Sequence, residues 1–130
     1  MDEINIKLPA KPEYVLVARL TTSAIASRLG FSVDEIEDLK VAVSESSIFL
    51  MNQFSELGFI TIDYKIHDNC GITAHVKAFD TNGIKVNENA MVQNELSLFI
   101  IESIVDRITK DVHQGIIQGF SIYKTCGGQS

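Results

Sequence analysis

The chain has 130 residues, of which 45% are hydrophobic and 22% charged, and its formal net charge is −6 at pH 7. This composition is typical of one soluble globular domain, and no run reaches the ~20 apolar residues that a membrane span requires. The acidic balance argues against direct nucleic-acid binding, because phosphate-backbone binders gather lysine and arginine on one face. The N-terminal residues lack the layout of a secretory signal, so we expect the protein in the cytoplasm.

The first half of the chain predicts one strand and two helices. Residues 4–8 alternate between apolar and polar, which is typical of a short strand. From Glu13, apolar residues recur at helical spacing for about five turns. Ser32 and Glu35 then have the spacing of a capping box, in which each side chain bonds a backbone amide of the other residue. A second helix is therefore expected from there to about residue 54.

The second half predicts two hairpins with a helix between them. The first turn is Asp68-Asn69-Cys70-Gly71, whose Asn and Gly tolerate the positive φ of a hairpin turn. A polar loop separates the first hairpin from the helix, and a second turn lies around Gly115. The predicted bounds are 59–67 and 72–79 for the first hairpin, 95–107 for the helix, and 108–112 and 116–123 for the second hairpin.

This order of elements predicts an α+β fold. With sequential strands paired and helices on one face, it is a two-layer sandwich, one mainly antiparallel sheet covered on one face by three helices. We expect residues 1–125 to form a single domain and the glycine-rich residues 126–130 to be a flexible tail. Cys70 and Cys126 are expected to be free thiols in a reducing compartment.

Three segments of the chain resemble a known family. They are LPAKPEYVLVARLTTSAIASRLGF with DEIEDLKVAVSE, then AFDTNG, then ELSLFIIESIVDRI. In this order they are similar to the anti-sigma factor serine kinases of the RsbW and SpoIIAB type, in the GHKL superfamily of HSP90-like ATPases. The resemblance implies the Bergerat ATP-binding fold, ATP with magnesium as cofactors, and a sigma factor or a STAS-domain anti-anti-sigma factor as partner.

The family's second helix carries a Glu that serves as general base and, one turn later, an Asn that ligates magnesium. The resemblance places Glu45 at the Glu position and Phe49 at the Asn position of this chain. A phenyl ring offers magnesium no oxygen, so magnesium is not expected here. Asn52, seven residues after Glu45 on about the same helix face, is the alternative ligand.

The family's next element is Asp-x-Gly-x-Gly, in which the Asp accepts a hydrogen bond from the adenine amino group. This chain has Asp80-Thr81-Asn82-Gly83, so the resemblance makes Asp80 and Gly83 the candidate adenine site. A turn after a strand explains the same residues, because Asp, Asn and Gly favour turns for local reasons.

The last family element is a Gly-x-Gly at the start of the third helix, where backbone amides hold the triphosphate. Glu95 and Ser97 occupy those positions here. A carboxylate repels phosphate, and a side chain blocks close approach of the backbone. Helix stability alone also explains Glu95, since a carboxylate is favourable at a helix N-terminus. With these departures, we expect any binding of ATP or ADP to be weak.

The first helix carries Glu13 and Arg19, which match positions near which family members bind their sigma factor; a surface salt bridge between them is the alternative interpretation. We therefore expect an anti-sigma-factor-like regulator that binds a sigma factor or STAS-type antagonist and has impaired ATP binding and kinase activity. One alternative is an active ATP-dependent serine kinase that uses Glu45, Asp80 and Asn52. Another is a non-catalytic subunit that dimerises with a kinase paralogue. The resemblance implies a homodimer or a heterodimer.

Overall fold

The computed structural model describes residues 2–127. The elements are β1 (Asp2–Pro9), α1 (Val15–Ala26), α2 (Val33–Gln53), β2 (Phe59–His67), β3 (Gly71–Phe79), α3 (Met91–Ile104), β4 (Arg107–His113) and β5 (Ile116–Thr125), with 3-10 turns at Pro12–Tyr14 and Glu88–Ala90. The strands form one sheet in the order β1-β2-β3-β5-β4, and every neighbouring pair is antiparallel. The predicted fold class is confirmed. No helix within these residues is long and apolar enough to cross a membrane.

Alternation along the strands gives the sheet one buried face and one solvent-facing face. On β2, Ile60, Ile62 and Tyr64 are fully buried, whereas Asp63 between them is partly exposed. The same alternation continues on β3 and β5, and the buried side chains share one core cluster with α1, α2 and α3. Because neighbouring side chains of a strand point to opposite faces, the helices lie together on the apolar face.

Tyr64 joins this core to α1. Its hydroxyl lies 2.6 Å from Thr22 Oγ1, and Thr22 Oγ1 donates to the Ala18 carbonyl oxygen 2.8 Å away. Burial raises the pKa of Tyr64 to about 12, because an apolar surrounding disfavours the phenolate. The buried hydroxyls are therefore paired, and α1 is held against the sheet at this point.

The start of α2 follows the sequence prediction. Ser32 Oγ accepts from the Glu35 backbone amide at 3.1 Å, and the Ser32 amide donates to Glu35 Oε1 at 2.8 Å. The capping box is confirmed. The first helix is shorter than predicted, because the chain forms a 3-10 turn at Pro12–Tyr14 and leaves the helix after Ala26.

The two cysteines form a disulfide, so the expectation of two free thiols is wrong. The cause is the register of β3 on β5, which pairs Gly71 with Thr125 and so puts the residues just outside the ladder side by side. The Cα atoms of Cys70 and Cys126 are 5.8 Å apart, a distance that a disulfide can span. The backbone supports the contact, since the Cys126 amide donates to the Cys70 carbonyl oxygen at 3.0 Å.

Two residues that the composition assigned to a flexible tail have defined contacts. Cys126 is buried, and the Gly127 amide donates to Glu35 Oε2 at 2.6 Å. The C-terminal end of β5 is thereby bonded to the start of α2. Residues 128–130, the rest of the expected tail, lie outside the described residues.

The third helix begins four residues before its predicted start. The 3-10 turn Glu88–Ala90 leads directly into α3 at Met91. Glu95 therefore lies in the second turn of the helix, and its predicted place at the helix N-terminus is wrong. The helix also ends earlier than predicted, at Ile104, because β4 already begins at Arg107.

Candidate functional site

A cavity of about 260 Å³ lies between α2, α3 and the segment that leads into α3. The Asn87 amide donates to the Gln53 carbonyl oxygen at 2.6 Å, which holds that segment against the end of α2. The charged residues of the cavity are two carboxylates, Glu88 and Glu95, and no lysine or arginine of the described chain lines it. Its apolar walls come from Phe49, Val86, Met91, Leu98 and Ile117.

Phe49 forms the inner wall of this cavity. Its side chain is buried, and its ring meets the ring of Phe120 on β5 edge-on, with the centroids 4.9 Å apart. Aromatic rings favour this geometry because the positive edge of one faces the negative face of the other. The position that the resemblance assigns to a magnesium ligand is therefore part of the hydrophobic core.

Glu45 and Asn52 lie on the same helix as Phe49, but neither lines the cavity. Both side chains are half-buried on α2. Glu45 precedes Phe49 by one helical turn, a separation at which side chains are neighbours. The structure thus places Glu45 beside the inner wall, and leaves Asn52 outside the cavity.

Asp80 and Gly83 lie in the exposed turn that follows β3. Both have left-handed backbone, with φ of 53° and 76°. The Thr81 hydroxyl lies 2.7 Å from Gln118 Oε1, which fixes this turn to β5. Neither candidate adenine residue lines the cavity between α2 and α3, so the structure does not bring them together with Phe49 and Glu95 there.

Glu95 and Ser97 lie inside α3, where the resemblance expects a backbone cradle for phosphates. Glu95 is exposed at the cavity, and Ser97 is buried. The free amides of a helix belong to its first four residues, and those beyond them bond to carbonyls one turn earlier. Because α3 begins at Met91, its free amides end at Asn94, and the amides of Glu95 and Ser97 lie beyond them. They are not available to hold an anion.

Sequence reasoning missed Asn94, which also lines the cavity. Only 6% of this residue is exposed. Its Nδ2 donates to the Phe49 carbonyl oxygen at 3.4 Å, whereas its Oδ1 has no hydrogen-bond partner within residues 2–127. The spacing in the sequence could have indicated that Asn94 is buried. It lies three residues before Ser97 and seven before Ile101, on the same buried face of α3.

The two residues matched to sigma-factor contacts lie near α1 but are separate from each other. Glu13 is exposed in the first 3-10 turn, whereas Arg19 is half-buried and donates to Ser44 Oγ on α2 at 3.0 Å. No ion pair joins Glu13 to Arg19 in the described part of the chain. Beside them, the outer face of α1 exposes three apolar side chains, Leu16, Val17 and Leu20.

Known proteins share sequence with most of this chain, although no family model matches it. It is 37% identical to the serine-protein kinase RsbW of Oceanobacillus iheyensis over 137 residues, covering 94% of this chain and 87% of that protein. It is 38% identical to RsbW of Listeria innocua over 130 residues, which cover 88% of this chain and 83% of that protein. It is 31% identical to RsbW of Bacillus cereus over 121 residues, which cover 82% of this chain and 76% of that protein. The chain belongs to the RsbW family of anti-sigma factor serine kinases.

Within this RsbW-family protein, the positions singled out by the resemblance separate into two groups. Phe49 and Glu95, which the resemblance aligns with the magnesium ligand and the first cradle glycine, both line the cavity. Glu45, Asn52 and Asp80 do not. A larger cavity, of about 640 Å³, lies between β1 and the end of α1, and none of these five residues lines it.

Proposed function

We propose that this RsbW-family protein is a regulator that binds a sigma factor or a STAS-type antagonist, with impaired ATP binding and kinase activity. The observation that carries this proposal is the packing of Phe49 on Phe120. A magnesium ion held by one or two protein ligands and by phosphates needs an oxygen at this position, and the phenyl ring has none. The protein is then a binding module built on a kinase fold.

The charge of the cavity supports impaired nucleotide binding. Glu88 and Glu95 are the charged residues on its walls. A triphosphate placed beside them meets repulsion from both carboxylates, and no lysine or arginine within residues 2–127 lines the cavity to offset it. The amides of Glu95 and Ser97 lie beyond the free first turn of α3, so the backbone at these two positions does not offset the repulsion.

The outer face of α1 supports partner binding. Leu16 and Leu20 are each 59% exposed and lie one turn apart. Exposed apolar groups rimmed by charges are typical of protein-binding surfaces, and here Glu13 and Arg19 supply charges of both signs nearby. We propose that this face contacts the sigma factor or antagonist, with Glu13 and Arg19 setting specificity at its rim.

We further propose that the protein acts in the bacterial cytoplasm, where a transcription regulator meets its partner and where the Cys70–Cys126 disulfide is open to reduction. It would work there as a homodimer or as a heterodimer with a kinase paralogue. In the heterodimer this chain would supply the partner-binding face, and the paralogue would supply phosphoryl transfer. Size-exclusion chromatography with light scattering measures the mass of the assembly directly.

Affinity purification of the tagged protein from its native host tests the partner proposal. We expect a sigma factor or a STAS-domain protein to co-purify and to be identified by mass spectrometry. Leu20→Asp should reduce its recovery about tenfold, since it charges the apolar face of α1. Val112→Asp is the matched control, because Val112 is 53% exposed on β4, away from α1. Recovery of neither protein class, or equal recovery with L20D, contradicts the proposal.

An active serine kinase is the second candidate, favoured by the name of the relatives, serine-protein kinase. Glu45 is still present beside Phe49 and is half-exposed. In this candidate Glu45 orients or deprotonates the attacking hydroxyl. Transfer of labelled phosphate from ATP to a STAS-domain serine tests it, with Glu102→Ala as the control for losing an exposed carboxylate. Transfer that Glu45→Ala abolishes favours the kinase, and no transfer by the wild type in any divalent cation excludes it.

A further inference from the structure

We propose that the cavity between α2 and α3 binds a small organic cation with an apolar body and an N–H donor, and that Asn94 Oδ1 accepts the hydrogen bond. This ligand class differs from a nucleotide in charge and in the group recognised. The proposal concerns the cavity alone. It does not depend on whether the protein binds a sigma factor or transfers phosphate.

The unpaired oxygen of Asn94 is the first observation. Only 6% of Asn94 is exposed, and its Oδ1 is the one buried side-chain nitrogen or oxygen within residues 2–127 that has no hydrogen-bond partner. The orientation of its amide follows from the Phe49 carbonyl oxygen, which can only accept, so that Nδ2 must face it. Buried polar atoms are nearly always paired, and an acceptor left at a cavity wall indicates a donor that comes from outside the chain.

The charge of the cavity is the second observation. Its two charged residues, Glu88 and Glu95, are both carboxylates and both exposed. They favour a cation and disfavour an anion. Gln53 also lines the cavity, but its side-chain nitrogen already donates to the Ile117 carbonyl oxygen. The cavity therefore presents acceptors and negative charge, which fit an ammonium group.

Size and wall chemistry define the rest of the ligand. Typical small-molecule sites have volumes of about 300–1,000 Å³, and this cavity, at about 260 Å³, lies just below that range. Phe49, Leu98 and Ile117 give it apolar walls that favour an aromatic or aliphatic body. A ring with a short amino side chain matches both features, because the ring fits the apolar walls and the amino group fits Asn94 Oδ1 and the carboxylates.

The probe for this site is 2-phenylethylammonium, titrated into the ¹⁵N- and methyl-labelled protein and followed by NMR. We expect saturable shifts at the Asn94 side-chain amide and the Leu98 and Ile117 methyl groups. The anion 3-phenylpropionate has the same ring and chain length, and should bind at least about tenfold more weakly. Phenethyltrimethylammonium keeps the charge but lacks the N–H, and should also bind more weakly. Equal binding of all three, or shifts that lie elsewhere, overturns the proposal.

Variants of Asn94 separate hydrogen bonding from shape. Asn94→Ala removes the acceptor and widens the cavity, and should weaken the cation about tenfold. Asn94→Asp keeps an oxygen and adds a charge, so it should bind the cation at least as tightly as wild type. Val92→Ala is the matched control on the same helix, because Val92 is 80% exposed and does not line the cavity. If N94A binds the cation as tightly as the wild type, the role of Oδ1 is overturned. It is also overturned if both variants are folded and N94D loses as much affinity for the cation as N94A.

Discussion

The ring of Phe49 stands edge-on to the ring of Phe120, with the centroids 4.9 Å apart and the ring planes at 89°. Phe120 is fully buried on β5, so this pair joins the last turns of α2 to the sheet. Such pairs stabilise by about 0.5–1.5 kcal/mol beyond the burial of their surface. At this position the chain has a core contact where the RsbW resemblance expects a polar metal ligand.

Truncating Phe49 should destabilise the whole fold. Phe49→Ala removes a buried ring and leaves a cavity beside Phe120, so the free energy of unfolding should fall by about 3–5 kcal/mol. Phe99→Ala is the control, because Phe99 is 69% exposed on α3, and its loss should be about 0.5 kcal/mol or less. Urea unfolding followed by circular dichroism measures both. A cost for F49A as small as that for F99A would refute the structural role of this ring.

Removing the disulfide should also destabilise the protein. The bond closes a loop with a sequence separation of 56 residues, and native disulfides of this kind contribute about 2–4 kcal/mol, mainly by restricting the unfolded chain. Cys126→Ser should therefore lower the free energy of unfolding by that amount, measured without reductant. Dithiothreitol should lower the stability of the wild type similarly and leave C126S unchanged. A reductant effect of equal size in C126S would show that the loss does not come from this bond.

Glu35 should make stability depend on acid pH. The Ser32 amide, and to a smaller extent the Gly127 amide, hold the pKa of its carboxyl below the ordinary value of 4.5. Because the folded pKa is the lower one, the stabilisation is fully present above about pH 4.5 and is lost as the pH falls through the folded pKa. Its size should be below about 1 kcal/mol, since solvent screens this carboxylate.

Comparison of the wild type with Glu35→Gln between pH 7 and pH 3 measures this contribution. Gln still accepts hydrogen bonds in a capping box, so the difference in unfolding free energy reports the charge. We expect the wild type to be more stable at pH 7 and the difference to shrink towards pH 3. Glu102→Gln controls for the loss of one carboxylate. A difference that is constant across this range would contradict the account of Glu35.

Local chemistry made part of the fold predictable. The capping box of Ser32 and Glu35 is complete within four residues, so the start of α2 could be read from the sequence. The bounds of β2 were predicted as residues 59–67 and match, because its alternation of buried and exposed side chains reflects a single sheet face. Such features need no knowledge of distant residues.

Features that depend on distant pairing were missed. The approach of Cys70 to Cys126 depends on the β3–β5 register, which neither segment specifies alone. The early start of α3 depends on the 3-10 turn before Met91, whose residues have no strong helical pattern. Asn94 falls in the loop that the sequence predicts before the third helix, and only the structure places it next to Phe49 and the cavity. The resemblance singled out Phe49 and Glu95, but it did not predict the contacts that these residues make.

We propose that Phe49 and the carboxylates of Glu88 and Glu95 leave the cavity unable to hold a magnesium–triphosphate group. Isothermal titration of the purified protein with ATP in the presence of magnesium tests it most directly. We expect no saturable heat up to about 1 mM ATP, which corresponds to binding weaker than about −4 kcal/mol. A saturable isotherm with a dissociation constant near 1 μM, about −8 kcal/mol, would contradict the account.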